Sequence, residues 1–215
     1  MDDLYVIACA TVAEELRPYL PAGTPLRELK FGLHRDPAQL RVELQSEIDQ
    51  APAGPTILLG YGLCGGGADG LIARHNRIVI PRIHDCIALF LGSREAHQQQ
   101  TAQEAGTYYL TKGWIEVDSL QEQWDRLVKK YGPERGAELA RVALANYTRM
   151  AFINTGERDL ERYRQIARAW AEMYRLRYEE LQGSPALVKA LAGGEWDSRF
   201  LVFEPGETIT LAAFL

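Results

Sequence analysis

The residues of this 215-residue chain whose types and spacing could do chemistry are its three cysteines and the histidine that stands beside one of them. Cys9 closes the apolar run Leu4-Tyr-Val-Ile-Ala-Cys9. Cys64 follows Thr56-Ile-Leu-Leu-Gly60 inside the phrase Gly60-Tyr-Gly-Leu-Cys-Gly-Gly-Gly67, and Cys86 ends Arg77-Ile-Val-Ile-Pro-Arg-Ile-His-Asp-Cys86, two residues after His84. All three thiols thus sit at the ends of strand-like runs. In an open α/β sheet the carboxyl ends of parallel strands line the ligand crevice, so groups far apart in sequence can meet there. Thiolate and imidazole suit zinc and softer iron sites, and Cys9, Cys64, His84 and Cys86 would complete a tetrahedron, although their spacing is not that of a zinc finger. The structural alternative is that Cys9 and Cys86 are core residues, since free cysteine is among the most buried types.

Two further chemistries use the same stretches. Gly60, Gly62, Gly65, Gly66 and Gly67, with Tyr61 and Arg82, could cradle an anionic cofactor on backbone amides, and those amides would favour the Cys64 thiolate. The letters of Gly60-Tyr-Gly-Leu-Cys-Gly65 fit a dinucleotide fingerprint weakly, and a tight strand-to-helix turn is the competing explanation. Alternatively Cys64, His84 and Cys86 could transfer protons or attack a substrate, with Asp85 orienting His84. Arg82 and Lys112 could neutralise a carboxylate or phosphate, and Tyr61, Tyr108, Tyr109, Trp114, Asn154 and Thr155 could line a pocket; each alone is more often structural. His34, His75 and His97 lie in polar surroundings and carry no expectation.

The elements that must position these residues alternate. After the Leu4 strand, Thr11 can cap a helix over 12–19 that Pro18 and Pro21 stop; a strand is expected over 26–33, and Leu40, Leu44 and Ile48 make a helical stripe after Asp36-Pro37. The Thr56 strand, a short helix over 68–73, the Arg77 strand and a helix over 85–104 follow. Beyond Gly106 the pattern repeats: a strand at Thr107, a Trp114 loop, helices over 120–131 and 134–147, a strand at Arg149, a helix over 159–175, a strand at Tyr178, a helix over 185–191 and a closing strand over 200–203. The expected fold is α/β, two Rossmann-like lobes with mostly parallel sheets and a crevice between them, residues 1–106 and 107–215.

Composition narrows the function. A formal charge of −5 disfavours a nucleic-acid partner, which needs a basic face, and no apolar run approaches the length of a membrane span. The opening Met1-Asp-Asp does not resemble a secretory signal, and three cysteines disfavour a disulfide framework, so the expected location is cytoplasmic. The expected partner is a small-molecule ligand, anionic in the cradle reading, with a protein partner left open.

The phrases Gly60-Tyr-Gly-Leu-Cys-Gly65, Pro81-Arg-Ile-His-Asp-Cys-Ile-Ala-Leu-Phe-Leu-Gly-Ser93 and Gly106-Thr-Tyr-Tyr-Leu-Thr-Lys-Gly-Trp114 resemble the unknown-function family numbered 1638, found in bacteria and archaea. The resemblance implies membership over nearly the whole length and no settled activity. The residues therefore leave two expectations: an enzyme using a metal, zinc or iron, or a reactive thiol at the strand ends, or a non-catalytic ligand-binding or metal-carrying accessory module.

Overall fold

The computed structural model describes residues 3–117, 120–156 and 158–215. The fold is mixed α/β, with a mostly parallel five-stranded sheet and a separate parallel three-stranded sheet, consistent with two Rossmann-like lobes. Two compact units carry them, one made of Met1–Arg94 with Ser184–Leu215, the other of Glu95–Gly183. The second is therefore an insertion in the first, which differs from the consecutive lobes 1–106 and 107–215 expected from sequence.

The first unit begins with β1 (Leu4–Cys9), α1 (Ala10–Leu16), β2 (Leu26–Leu29), α2 (Pro37–Gln50), β3 (Thr56–Gly60), β4 (Ile78–Pro81) and α3 (Ile87–Leu91). The four strands run parallel, β1 lying between β2 and β3, and β4 beyond β3. Every residue of β3 and β4 is buried, as in a sheet covered on both faces. α2 forms where its signals agree. The Asp36 carboxylate accepts from the Gln39 amide at 3.1 Å, Pro37 fits the first turn, and Leu40, Leu44 and Ile48 are buried on one stripe, each contributing roughly 1.5–3 kcal/mol.

Three local expectations fail for identifiable reasons. Thr11 does not cap α1 but is buried within it, because β1 runs directly into the helix with Cys9 as the capping residue. No helix forms over 68–73: the glycine phrase closes as a 3-10 turn, Cys64–Gly66, and residues 70–73 instead bond to the chain near Ile209, with an antiparallel bridge from Ile72 to Thr208. The helix expected over 85–104 breaks at Gly92, where φ is +88° and a Cβ would stand 2.5 Å from that of Ser184.

The second unit holds α4 (Arg94–Gln103, its first residue being the last of the preceding segment), β5 (Thr107–Leu110), α5 (Lys112–Val117), α6 (Leu120–Tyr131), α7 (Pro133–Val142), β6 (Arg149–Asn154), α8 (Leu160–Tyr174) and β7 (Arg177–Gln182). Its strands pair in parallel in the order β5-β6-β7. Trp114, expected in a loop, lies in α5. Met150, Phe152, Ala167, Trp170 and Tyr174 share one buried core.

The chain then returns as α9 (Ala186–Gly193) and β8 (Phe200–Phe203). β8 adds antiparallel to β4, giving the order β2-β1-β3-β4-β8, and α9 packs on α1 and β4. That return places residues 184–215 in the first unit. No helix among the described residues is long and apolar enough to cross a membrane.

Candidate functional site

β1, β3 and β4 are neighbours in one sheet, and each leads at its carboxyl end into a cysteine. Cys9 is the last residue of β1, with its Sγ 3.5 Å from Thr11 Oγ1. Past β3 and β4 the two chains continue side by side: the Leu63 amide donates to the Ile83 carbonyl at 2.9 Å and the Cys64 amide to the His84 carbonyl at 3.0 Å. Gly62 permits this approach, since a Cβ there would lie 2.8 Å from Ile83 O. Cys64 then turns with φ of +48°, a conformation that costs a non-glycine residue roughly 1 kcal/mol. On the neighbouring extension Asp85 Oδ1 accepts from the Ile87 amide at 2.9 Å, and Cys86 takes the capping position of α3.

The three thiols share an electrostatic neighbourhood centred on Tyr61. It is 3% exposed, its buried hydroxyl has no hydrogen-bond partner among the described residues, and burial, then negative charge at Cys9, Cys64 and Cys86, pushes its ionisation far above the usual tyrosine range. Burial raises the Cys64 thiol to about 12, overcoming backbone hydrogen bonds from Gly62 and Cys86 that favour the thiolate, and negative charge at Asp85 and Cys9 adds to the rise. Cys86 is raised well above the usual thiol value by burial first, then by Asp85 and the other two thiols. At neutral pH the pair is protonated, contrary to the expectation that the turn would favour the Cys64 thiolate.

Six amides of the glycine phrase and its continuation close on the backbone. The amides of Leu63, Cys64, Gly66, Gly67, Ala68 and Asp69 are all bonded to carbonyls, so they are not displayed to an anion. Gly60 abuts Ala8 and Gly67 abuts Leu40, each with a Cβ position 2.6 Å from a neighbouring side-chain carbon. Gly65 and Gly66 take φ of +65° and +97°, and Arg41 Nη2 reaches the Gly66 carbonyl at 3.0 Å.

His84 is exposed, and its Nε2 meets Arg94 Nη2 at 3.3 Å. Among the described residues no group of three or more His, Cys, Asp or Glu side chains stands in ligating geometry.

A family model described as a protein of unknown function (DUF1638) matches residues 28–192, well over half of the chain. The chain belongs to this family. Comparison with curated proteins and with solved structures found no match. The DUF1638 match includes Cys64, His84 and Cys86, whereas Cys9 lies before it.

The remaining candidates of this DUF1638 chain belong to its second unit and have local roles. Tyr108 packs edge-on against Tyr147, Tyr109 against His97, Lys112 pairs with Glu116, the Trp114 amide donates to Thr111 Oγ1, and the Asn154 amide group donates to Glu180; Thr155 follows it in the loop after β6. An open cleft of about 630 Å³ in that unit, lined among others by Glu138, Arg141, Tyr147 and Tyr174, carries no signal in the sequence. Arg141 there is already committed to the Met173 carbonyl and the Trp124 ring.

Proposed function

We propose that the first unit binds a thiophilic metal ion, zinc or iron, through Cys9, Cys64 and Cys86, and works on a small molecule in the reducing environment of the cytoplasm. The observation that carries this reading is the placement of three thiols at the carboxyl ends of three adjacent strands, around one buried hydroxyl without a partner. Such a donor set suits a borderline or soft metal, and metal would displace the protons that burial holds on Cys64 and Cys86. Three protein ligands leave a fourth tetrahedral position open, the arrangement of catalytic rather than structural sites, which favours an enzyme over a carrier. A bound metal would supply Lewis acidity to an oxygen of the substrate or of water. The chain's own residues contribute the dry surroundings of Tyr61 and the fixed backbone that joins Cys64 to His84. Thiolate nucleophilic catalysis is the weaker reading, because protonated thiols are poor nucleophiles.

The test is titration of the untagged full-length protein with zinc and iron(II). One equivalent should bind and raise the melting temperature, affinity should weaken as pH falls because protons compete for the thiolates, and Cys86→Ser should lose both effects. Absence of stoichiometric uptake together with no thermal response to either metal would overturn the proposal.

A further inference from the structure

The geometry points to an oxyanion-binding site on the extension of β4, in which Arg82, supported by Arg94 and His84, holds the carboxylate or phosphate group of a small ligand. It rests on the metal reading only in assigning that ligand to the same strand ends. Arg82 lies on the extension of β4, and Arg94 opens α4; both are half-buried. Arg82 donates through Nε to the Ala213 carbonyl at 3.0 Å, and Arg94 through Nη1 to the Phe214 carbonyl at 2.9 Å. Among the described residues neither guanidinium meets a carboxylate, and the two terminal nitrogens of Arg82 have no acceptor. Those two nitrogens are the fork that grips an oxyanion in bidentate fashion.

Elsewhere in the unit Arg27 and Arg41 also meet no carboxylate among the described residues, bonding to the Tyr5 hydroxyl and the Gly66 carbonyl, but four other arginines are paired. Arg17 pairs with Glu28, Arg74 with Asp49, Arg77 with Glu204 and Arg199 with Asp197. The acids of the loops around Arg82 are turned to backbone amides instead: Asp69 accepts from Leu211 at 2.7 Å and Asp85 from Ile87 at 2.9 Å. A protein with a formal charge of −5 therefore keeps uncompensated cations at the end of the sheet that carries its thiols. Partial burial of a guanidinium without a counter-charge costs desolvation energy, which a bound oxyanion offsets. Carbonyl contacts to residues 213 and 214 fix the two side chains without neutralising them, so the fork is held ready rather than consumed.

The experiment is calorimetric titration of the full-length protein with inorganic phosphate and, separately, oxalate at low ionic strength, once after chelator treatment and once after zinc loading. One probe should saturate a single site, and the one that does so decides between phosphate and carboxylate ligands. Arg82→Gln should weaken that binding roughly tenfold or more, and Arg82→Lys, which keeps the charge without the fork, should lie between. Arg77→Gln, at the opposite end of β4, should bind as the natural protein does. The bound probe should raise the melting temperature of the natural protein and of Arg77→Gln but not of Arg82→Gln. The proposal is overturned if neither probe binds, or if Arg82→Gln binds as tightly as Arg77→Gln. Phosphate or oxalate binding without uptake of zinc or iron(II) would overturn only the metal reading, and metal uptake without either anion would overturn only this one.

Discussion

The carboxyl ends of the two parallel sheets are finished in opposite ways. In the second unit, Asn154 ends β6 by donating to Glu180 Oε1 at 3.1 Å and accepting from the Gly156 amide at 3.0 Å, while Arg164 closes on Glu180 with two bonds of 2.7 Å. Each of these polar groups is answered by a neighbour, and burial of such groups is cheap only when answered. In the first unit, the equivalent ends display raised thiols, a buried hydroxyl without a partner and guanidinium nitrogens without acceptors. At these residues the same architecture answers one set of strand-end groups and leaves the other unanswered, although the second unit too holds a buried polar atom without a hydrogen-bond partner among the described residues, at Gln100 Oε1. Function is expected where local satisfaction stops.

The strongest test of that contrast compares two arginines. Arg149 is 1% exposed and bonds to Thr107 Oγ1 at 2.8 Å and to Glu179 at 3.0 Å, with Glu104 nearby at 3.7 Å. Arg149→Met should cost about 3 kcal/mol in urea unfolding, because it strands carboxylates that were arranged around it. Arg82→Gln strands none, and the hydrogen bond to a carbonyl that it loses, about 1 kcal/mol, is partly offset by relief of an unpaired charge, so its cost should stay below that value. Equal losses would break the comparison.

Acid should reach the closed sheet through its carboxylates. The Thr148 hydroxyl and then Arg177 hold Glu104 below the usual range; Arg177 and then Arg149 lower Glu179; Arg164 and then Asn154 lower Glu180. A carboxylate depressed in the folded state contributes stability that is present above its unfolded pKa of about 4.3 and is lost as pH falls through the lower folded value. The melting temperature should therefore fall steeply below about pH 4, and Glu180→Gln should flatten part of that fall while lowering stability at neutral pH. An unchanged acid limb in Glu180→Gln would show that the closure does not run through these pairs.

Much of the scaffold was legible because local signals agreed. The Asp36-Pro37 start and the Leu40, Leu44, Ile48 stripe define α2, and the apolar run of Arg149–Asn154 is β6 residue for residue. The thiols could be placed at strand ends from runs of four to six residues. What was hidden depends on contacts distant in sequence. Nothing near Phe200 announces an antiparallel partner in β4, so the inserted second unit was invisible, and Ser184 is what makes Gly92 a break. Arg82 was readable as a cation, but not as one with a free fork, because that follows from residues 213 and 214 more than a hundred positions away. Adjacency to Cys86 groups His84 with the thiols in the sequence, whereas in the structure its ring meets Arg94, a contact that depends on the turn at 84–86 and on the start of α4.

The smallest expected effect is the most discriminating, because it predicts opposite signs for the same chemical change in the two units. Tyr163 donates its hydroxyl to Glu116 Oε1 at 2.6 Å, and that bond, with burial, raises its ionisation to about 12. Tyr163→Phe should therefore lose about 1 kcal/mol. Tyr61 is as deeply buried, yet its hydroxyl lacks a partner, and a buried unanswered hydroxyl costs about 1–3 kcal/mol. Tyr61→Phe keeps the ring and its packing while removing that cost, so it should gain about 1 kcal/mol in urea unfolding. If the hydroxyl is retained for a ligand held at the thiols, the same variant should bind zinc or the anion more weakly, a gain in stability coupled to a loss of function. Loss of stability in both variants would mean that Tyr61 has an acceptor after all, and the first sheet end would then be as closed as the second.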